Sequence, residues 1–347
     1  MLISRAGFLR GLAAATATLP LTARATPAEI DSLGAFQLDG RIDGAKPWTA
    51  IPGTGAAPLR FAVIGDNTGV ARPGVFDQAM VQISWLKPDF ILSVGDLIEG
   101  YTQDRARIAR QWAAIDRSIA KAGVPFIHTP GNHDIDNEET YAAWIERHGT
   151  GYYAFRYKGA LFLILNTEDP VQPLPLKVTK QINDMVDLMA QDPDKAEKSM
   201  NDYLGQRRSG ARKDTDAEAE RANISDKQLG FIRDTLARNP NPAWTFVVMH
   251  RPAWKMASPA FAKIQAMLGT RNYTVFAGHT HYFTHEVLDG HDLINMGTTG
   301  GFKTQDGPGT LDHTMLVTLG PQGPSFANTR LNGLMNVAGE TGQVRAY

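Results

Sequence analysis

Short apolar runs alternate with amphipathic segments along the first half of the chain. Runs rich in β-branched and aromatic residues predict buried strands at 59–64, 90–94 and 124–128. Between them, apolar residues recur at helical spacing over 76–85 and 104–121, which predicts two helices that each bury one face. Strands and helices that alternate in this way predict a layered α/β fold.

The second half of the chain continues these patterns and then changes. The predicted strands are 152–157, 161–165, 244–249, 273–277, 286–288, 293–296 and 315–319, and the predicted helices are 140–147, 226–238 and 259–268. The last three strands have no helix between them, so we expect a second sheet stacked against the first.

Shifts in composition divide the chain into one large domain with flanking segments. We expect a signal peptide at 1–25, an irregular lead-in at 26–57, one domain at 58–330 and a tail at 331–347. Within the domain, residues 169–223 interrupt the alternation, with few large apolar residues after Met189 and a high density of charge. We interpret this stretch as a helical insertion with a solvated face.

The N-terminal segment has the pattern of an export signal. Arg5 and Arg10 accompany a short apolar run at 11–21, and Ala23-Arg24-Ala25 follows as a cleavage site. The start of the segment resembles a twin-arginine signal in which Ala6 replaces the second arginine. We therefore expect an exported protein, periplasmic or secreted; the alternative is that this segment is the first helix of the mature fold.

Composition narrows the classes of function. The 347-residue chain is 43% hydrophobic and 20% charged, as expected for a protein with a buried core. Its formal net charge of −1 does not favour a nucleic-acid-binding protein, which usually carries a basic surplus. The absence of cysteine excludes disulfides, thiolate ligands and a cysteine nucleophile. No stretch outside the signal segment approaches the ~18 consecutive apolar residues of a membrane span.

Polar residues follow five of the predicted strands at their carboxyl ends. They are Gly65-Asp66, Gly95-Asp96, Gly131-Asn132-His133-Asp134, His250-Arg251 and Gly278-His279-Thr280-His281. In layered α/β sheets, ligands bind where the carboxyl ends of strands meet the loops, so we expect these side chains to lie together. Each also has an ordinary structural explanation: Asp66 and Asp96 as turn formers or helix caps, and His250 as a half-buried structural imidazole.

Oxygen and imidazole donors without sulfur suit a particular class of metal ion. Such a set favours divalent ions such as manganese or zinc, or a pair of ferric iron and a divalent ion. A carboxylate such as Asp96 can bridge two ions ~3.5–4 Å apart, which activate a water and hold a phosphate for displacement. We therefore expect two metal ions as cofactors.

Taken in order, the five polar blocks resemble those of the calcineurin-like metallophosphoesterase superfamily, over about residues 59–300. The resemblance implies a four-layer α/β/β/α sandwich that hydrolyses phosphomonoesters or phosphodiesters with a metal-bound hydroxide at a dinuclear site. It implies Asp66, Asp96 and His281 as ligands of the first metal, and Asp96, Asn132, His250 and His279 as ligands of the second. It also implies that His133 stabilises the transition state or protonates the leaving oxygen, and that Asp134 orients His133.

The first metal site departs from the family pattern. Most members have a histidine where this chain has Thr68, and the purple acid phosphatase branch instead uses a tyrosine three residues after the second aspartate. Glu99 occupies that spacing, so we hypothesise that its carboxylate is the missing ligand, with Tyr101 as a weaker candidate. The alternative is that Glu99 faces solvent and that the first metal binds loosely.

The resemblance implies a hydrolase acting on a small phosphorylated substrate. A non-catalytic metal-binding or phosphate-binding protein is the alternative if Thr68 leaves only the second metal tightly held. The histidine and aspartate of the third block favour catalysis, because a binding protein needs no proton donor. A third hypothesis is hydrolysis of a nucleic-acid diester, which the net negative charge of the chain disfavours. We expect the loops at 169–223 and 297–312 to select the substrate, with Asn67 and Arg251 near the mouth of the site.

Overall fold

The computed structural model describes residues 34–209, 221–256 and 258–343. The predicted signal peptide at 1–25 lies outside these ranges. The described helices are α1 (Val75–Leu86), α2 (Arg105–Ala120), α3 (Glu138–His148), α4 (Leu176–Gln191), α5 (Pro193–Arg208), α6 (Asp226–Arg238) and α7 (Pro259–Leu268). The described strands are β1 (Gln37–Asp39), β2 (Arg60–Ile64), β3 (Phe90–Ser93), β4 (Phe126–Ile127), β5 (Tyr153–Tyr157), β6 (Ala160–Ile164), β7 (Trp244–Val248), β8 (Tyr273–Ala277), β9 (Thr284–Leu288), β10 (His291–Asn295), β11 (His313–Gly320) and β12 (Gly323–Arg330).

The described strands form two mixed sheets. The strand order is β12-β11-β2-β3-β4 in the five-stranded sheet and β1-β5-β6-β7-β8-β10-β9 in the seven-stranded sheet. Neighbours run parallel within β2-β3-β4 and within β6-β7-β8-β10, and the remaining neighbours are antiparallel. A second sheet stacked against the first is present, as expected, but the last strands do not all enter it: β9 and β10 join the larger sheet, whereas β11 joins β2. A missing helix between strands shows how they are connected, and it leaves open which sheet they enter.

An apolar layer of aromatic rings lies between the two sheets. Phe61 of β2 packs against Phe90 of β3 at a ring-centroid distance of 5.4 Å and against Phe246 of β7 at 5.0 Å. Phe90 also meets Phe162 of β6 at 5.5 Å. Because successive side chains along a strand point to opposite faces, the outer face of each sheet needs a cover of helices.

Helices cover both outer faces. α1, α2 and α3 bury Met80, Trp112 and Trp144 against the five-stranded sheet, and α6 and α7 bury Ile232 and Ile264 against the seven-stranded sheet. The result is the four-layer α/β/β/α sandwich expected from the sequence. In the described part of the chain, no helix combines the length and apolar composition needed to cross a lipid bilayer.

Two helix starts follow from capping residues. Ser225 accepts a hydrogen bond from the backbone N–H of Gln228 at 3.2 Å, and α6 begins directly after it, as predicted. α3 begins at Glu138, two residues before the predicted start, because Asn137 accepts hydrogen bonds from the first turn of the helix.

Both sheets end in a strand that the apolar pattern does not predict. The lead-in at 26–57 is not irregular throughout, because Gln37–Asp39 forms β1 and pairs with β5. At the edge of the other sheet, β12 pairs with β11 along its whole length. Both are edge strands with half-buried or exposed residues, so their sequences carry little apolar signal.

Two helices, α4 and α5, make up most of the described part of the insertion. α4 and α5 pack together, and Met189 and Leu204 bury apolar surface with Val70 and Phe302, which lie outside the insertion. Asn183 of α4 also donates a hydrogen bond to the backbone oxygen of Tyr101 at 2.7 Å. The insertion therefore covers the loops that leave β2 and β3.

Candidate metal centre

Polar side chains from both sheets meet at the edge where the parallel strands end. They are Asp66, Asp96 and Asn132 after β2, β3 and β4, and His250, His279 and His281 after β7 and β8. His250 Nδ1 donates a hydrogen bond to the backbone oxygen of Val94 at 2.9 Å, which joins the two sheets at this edge.

Asp96, Asn132, His250 and His279 form the tightest group. His250 Nε2 lies 3.1 Å from Asp96 Oδ2 and 2.9 Å from Asn132 Oδ1. His279 Nδ1 lies 2.7 Å from Asn132 Oδ1 and 3.2 Å from His250 Nε2. The Asn132 amide donates to the Tyr101 hydroxyl at 2.8 Å, which turns its oxygen toward the two rings. The structure thus brings together the four residues expected at the second metal.

In the neutral form of His250, Nε2 and the neighbouring side-chain oxygens are all hydrogen-bond acceptors. Because Nδ1 donates to a backbone oxygen, the neutral ring has its lone pair on Nε2. That lone pair faces the side-chain oxygens of Asp96 and Asn132. Burial acts to lower the pKa of His250, but Asp96 outweighs burial and raises this pKa to about 9. Nε2 of His250 and the two side-chain oxygens therefore need a proton or a metal cation between them.

Asp66 and His281 form the other part of the cluster. His281 Nδ1 donates to the backbone oxygen of Phe302 at 2.5 Å, so its Nε2 lone pair faces Asp66 Oδ2 at 3.4 Å. Asp66 Oδ1 and Thr68 Oγ1 are buried and have no hydrogen-bond partner among the described residues. Buried oxygens without partners beside an imidazole lone pair fit a cation site.

Two glycines let the backbone approach the carboxylates. A Cβ atom at Gly278 would collide with Asp66 Oδ1, and one at Gly131 would collide with Asp96 Oδ1. Gly278, which precedes His279, thus lets the backbone approach the Asp66 carboxylate closely.

Three of the clustered residues have a left-handed backbone. The φ angles are +57° at Asp96, +72° at His279 and +53° at His281, which non-glycine residues rarely adopt. Such conformations cost about 1–3 kcal/mol each and are concentrated at functional sites. The surrounding fold therefore holds these side chains in place at the expense of local backbone strain.

The clustered groups change one another's pKa. Burial raises the pKa of Asp66 well above its usual value, with His250 opposing it. Burial also disfavours the ionised form of Asp96, but His250 and His133 outweigh burial and lower the pKa of Asp96. Burial lowers the pKa of His281 to about 4 and that of His279 well below its usual value. Neutral imidazoles beside an ionised carboxylate fit borderline divalent metals, and a bound cation favours ionised Asp66 as well.

His133 borders the cluster. Its Nδ1 donates to the backbone oxygen of Glu99 at 2.8 Å, which leaves Nε2 at 3.9 Å from Asp96 Oδ2. The ring meets Tyr101 edge-on at a centroid distance of 4.6 Å. This position suits proton transfer between Nε2 and a group bound at the cluster.

Among the described residues the Asp134 carboxylate has no hydrogen bond to the His133 ring, so the structure does not support its expected orienting role. Its carboxylate accepts hydrogen bonds of 2.8–3.1 Å from the backbone N–H groups of Asp96, Leu97, Ile98 and Gly131. Burial and the charge of Asp96 raise the pKa of Asp134 to about 7, against the effect of these N–H groups. Asp134 therefore positions Asp96 through the backbone, and the carbonyl of Glu99 orients His133 instead.

Glu99 holds the loop that follows β2. Its Oε1 accepts a hydrogen bond from the backbone N–H of Ala71 at 2.5 Å, and its Oε2 accepts one from Val70 at 3.1 Å. Glu99 is buried, so the alternative that it faces solvent is wrong. Its Oε2 lies 4.0 Å from His133 Nδ1, the ring nitrogen that faces away from Asp96. A ligand role for Glu99 stays a hypothesis.

A buried ion pair lies beside the cluster, and its acidic member was not anticipated. Arg251 Nε donates to Glu168 Oε1 at 2.5 Å, and Arg251 Nη1 lies 3.1 Å from His279 Nε2. Glu168 follows β6 in the run Asn166-Thr167-Glu168. That run is a further polar strand end, the same signal that identified the other residues.

A protein-family model and several known proteins match parts of this sequence. The family model described as calcineurin-like phosphoesterase matches residues 59–283. Serine/threonine-protein phosphatase CPPED1 of Homo sapiens is 34% identical over 122 residues, which are 31% of this chain and 36% of that protein. Its counterpart in Rattus norvegicus is 32% identical over 99 residues, 26% of this chain and 31% of that protein. The match thus spans about a third of the length of these curated relatives.

Solved structures align with this chain at low sequence identity. The structure of PhoD aligns with a TM-score of 0.51 and 12% identity, and covers 80% of this chain and 69% of that one. A dimetal phosphatase from Danio rerio aligns with a TM-score of 0.45 and 13% identity, over 78% of this chain and 99% of that one. The likeness to PhoD concerns the fold alone.

Proposed function

This chain belongs to the calcineurin-like phosphoesterase family, and from that premise we propose that it hydrolyses phosphomonoesters or phosphodiesters at a dinuclear metal centre. Membership confirms the family predicted from the five polar blocks. We assign the first metal to Asp66, Asp96 and His281, and the second to Asp96, Asn132, His250 and His279. Glu99 stays a hypothetical further ligand of the first metal.

One observation carries this proposal. With His250 neutral, its Nε2 lone pair faces the side-chain oxygens of Asp96 and Asn132 at 2.9–3.1 Å at the meeting point of the two sheets. A fold that only needed stability would not bury so many acceptors together, because each loses hydrogen bonds to water. Metal ions satisfy these acceptors and, when bound, supply a polarised water and offset charge on phosphoryl oxygens.

The chain's own residues supply the proton transfer. The carbonyl of Glu99 holds the Nδ1–H group of His133, so Nε2 is the atom that exchanges a proton with the leaving oxygen. Asp96 Oδ1 accepts a hydrogen bond from the His133 backbone N–H at 2.9 Å. The position of the proposed proton donor, His133, is therefore tied to that of the proposed metal ligand, Asp96. Asp134 fixes the loop that presents Asp96.

The test is turnover of simple substrates by the full chain. We expect release of p-nitrophenol from p-nitrophenyl phosphate or bis(p-nitrophenyl) phosphate with added manganese or zinc, and loss of this activity with a chelator. The two substrates separate monoesterase from diesterase activity. The activity named for CPPED1 belongs to that protein, so a phosphoserine peptide joins the panel as a further candidate. A metal-loaded chain that cleaves none of these esters would contradict the proposal.

A non-catalytic metal-binding or phosphate-binding protein is the second candidate. The observation that favours it is Thr68, whose buried hydroxyl replaces the histidine of most family members and has no partner among the described residues. A neutral hydroxyl is a weaker ligand than an imidazole, which weakens the first metal site. Tight binding of metal and phosphate without ester cleavage would favour this candidate.

We also propose that the chain is exported and acts on small phosphorylated compounds. Export is supported by the basic start, apolar run and Ala-x-Ala site within residues 1–25. The net charge of −1 supports a small substrate over a nucleic acid. N-terminal sequencing of the protein recovered from the periplasmic fraction tests the export; a start at Met1 in the cytoplasmic fraction would contradict it.

A further inference from the structure

We propose that Arg251 binds a phosphoryl oxygen of the substrate at the metal centre and that Glu168 positions its guanidinium for that contact. This inference rests on the proposed function and deepens it. Arg251 directly follows the ligand His250 and places Nη1 at 3.1 Å from Nε2 of the ligand His279. Its side chain therefore reaches the cluster from the side of the second metal.

The guanidinium of Arg251 is buried and held by hydrogen bonds within the protein. Only 7% of Arg251 is exposed, its Nε donates to Glu168 Oε1, and its backbone N–H donates to Thr167 Oγ1 at 3.1 Å. Glu168 is itself 4% exposed. Burying an ion pair costs free energy that an apolar pair of similar size would not cost, so stability alone does not explain it. A buried Glu168 that fixes one edge of the guanidinium is consistent with orientation of the remaining N–H groups.

The contact between Arg251 and His279 conflicts with metal binding. A guanidinium nitrogen is only a donor, so at 3.1 Å it needs the lone pair on His279 Nε2. The neutral ring then has its hydrogen on Nδ1, which donates to Asn132 Oδ1 at 2.7 Å. If Nδ1 held a metal ion through its lone pair, the ring hydrogen of neutral His279 would lie on Nε2, and Nη1 would lose this acceptor.

An anionic oxygen at the metal centre is the acceptor that replaces His279. The planar guanidinium matches the oxygens of a phosphate and forms charge-assisted hydrogen bonds with them. Arg251 would thus couple metal loading to phosphoryl binding, since it would exchange the acceptor on His279 for an oxygen of the substrate. The class of substrate that follows has a phosphoryl group with at least one oxygen that does not bind metal.

The experiment measures binding of inorganic phosphate to the manganese-loaded full chain by calorimetry, without turnover. We compare the wild type with R251Q, R251K and the double variant R251Q/E168Q, which avoids an unpaired buried carboxylate if R251Q fails to fold. The matched control is K158Q, which breaks the half-buried pair of Lys158 with Asp89 (2.8 Å) at the opposite ends of the strands. Manganese content is measured for every variant.

We expect R251Q and the double variant to keep their manganese and to bind phosphate roughly ten- to a hundredfold more weakly. R251K should be intermediate, because it keeps the charge and loses the planar fork, and K158Q should bind as the wild type does. Phosphate affinity of the double variant within twofold of the wild type would overturn the inference. A parallel loss of manganese would also overturn it, since Arg251 would then act only by holding His279.

The same variants separate this inference from the proposed hydrolysis. If the wild type cleaves esters and the double variant binds phosphate equally well, the proposed function stands and the role of Arg251 fails. If the wild type binds phosphate through Arg251 and cleaves no ester, the role of Arg251 stands and hydrolysis fails. A loaded wild type that binds no phosphate would overturn the inference directly.

Discussion

The carboxylate of Glu99 accepts a hydrogen bond from the backbone N–H of Val70 at 3.1 Å, and Val70 has a left-handed backbone with φ of +67°. A β-branched residue pays a steric cost in that region, so the surrounding contacts must hold it there. The preceding Gly69 lies against the ring of His281, where a Cβ atom would collide with it. Glu99 therefore helps to shape the wall of the first metal site through the backbone.

Replacing Glu99 tests whether it holds the loop or binds the metal. In E99Q, the new amide group faces a backbone N–H donor, so we expect the free energy of unfolding to fall by about 1–3 kcal/mol. Metal content should not change if Glu99 only holds the loop. Urea denaturation and elemental analysis measure the two effects. The control E146Q removes the charge of an exposed glutamate that pairs with Arg105, and should change stability by less than about 1 kcal/mol. Loss of one metal ion per chain in E99Q would instead make Glu99 a ligand.

His133 should matter most for substrates with poor leaving groups. H133A removes the proposed proton donor and should lower kcat by about 10²–10⁴-fold on an alkyl phosphate, with metal content unchanged. The loss should be smaller on p-nitrophenyl phosphate, because p-nitrophenolate leaves without a proton. Steady-state kinetics on both esters measure this difference. An equal loss on the two esters would contradict a proton-donor role.

The buried pair of His128 and His148, outside the candidate metal centre, predicts how stability depends on pH. His148 lies in a buried aromatic cluster with ring centroids at 4.2 Å from His128, 4.8 Å from Trp112 and 4.6 Å from Trp144. Its Nε2 has no hydrogen-bond partner in the part of the chain described. Burial lowers the pKa of His128 to about 3, and burial together with His128 lowers the pKa of His148 further below its usual value.

The sign of the effect follows from proton binding. The unfolded chain protonates these histidines below pH ~6.5, whereas the folded chain keeps them neutral, so stability falls as the pH drops. At pH ~5 the loss is about 2 kcal/mol for each histidine. H148F should remove one such contribution, and urea denaturation at pH ~7 and ~5 measures it. Equal losses of stability in H148F and the wild type would contradict the assignment.

The fold and the clustering of the six residues proposed as metal ligands were predictable because their signals are local. A buried strand followed by a polar residue is visible in the sequence, and parallel strands bring their carboxyl ends to one edge. The six assigned ligands lie in that position. Helix α6 was predictable to the residue because Ser225 caps it.

Other features depend on contacts between distant segments. Strands β1 and β12 form because a neighbouring strand offers hydrogen bonds, and their own residues are largely polar or exposed. The carboxylate of Asp134 turns toward backbone N–H groups of another loop, although its chain neighbour is His133. The ion pair of Arg251 with Glu168 joins residues 83 positions apart. No local pattern specifies such partners.

The central claim is that Asp96 is shared by two metal ions held by both sheets. Elemental analysis of the purified chain, loaded with manganese or zinc and then dialysed, tests it most directly, with D96N as the variant. The account predicts about two ions per chain in the wild type and fewer than about one in D96N, because both sites lose a ligand. A wild type that retains no metal, or a D96N variant that retains as much as the wild type, would contradict it.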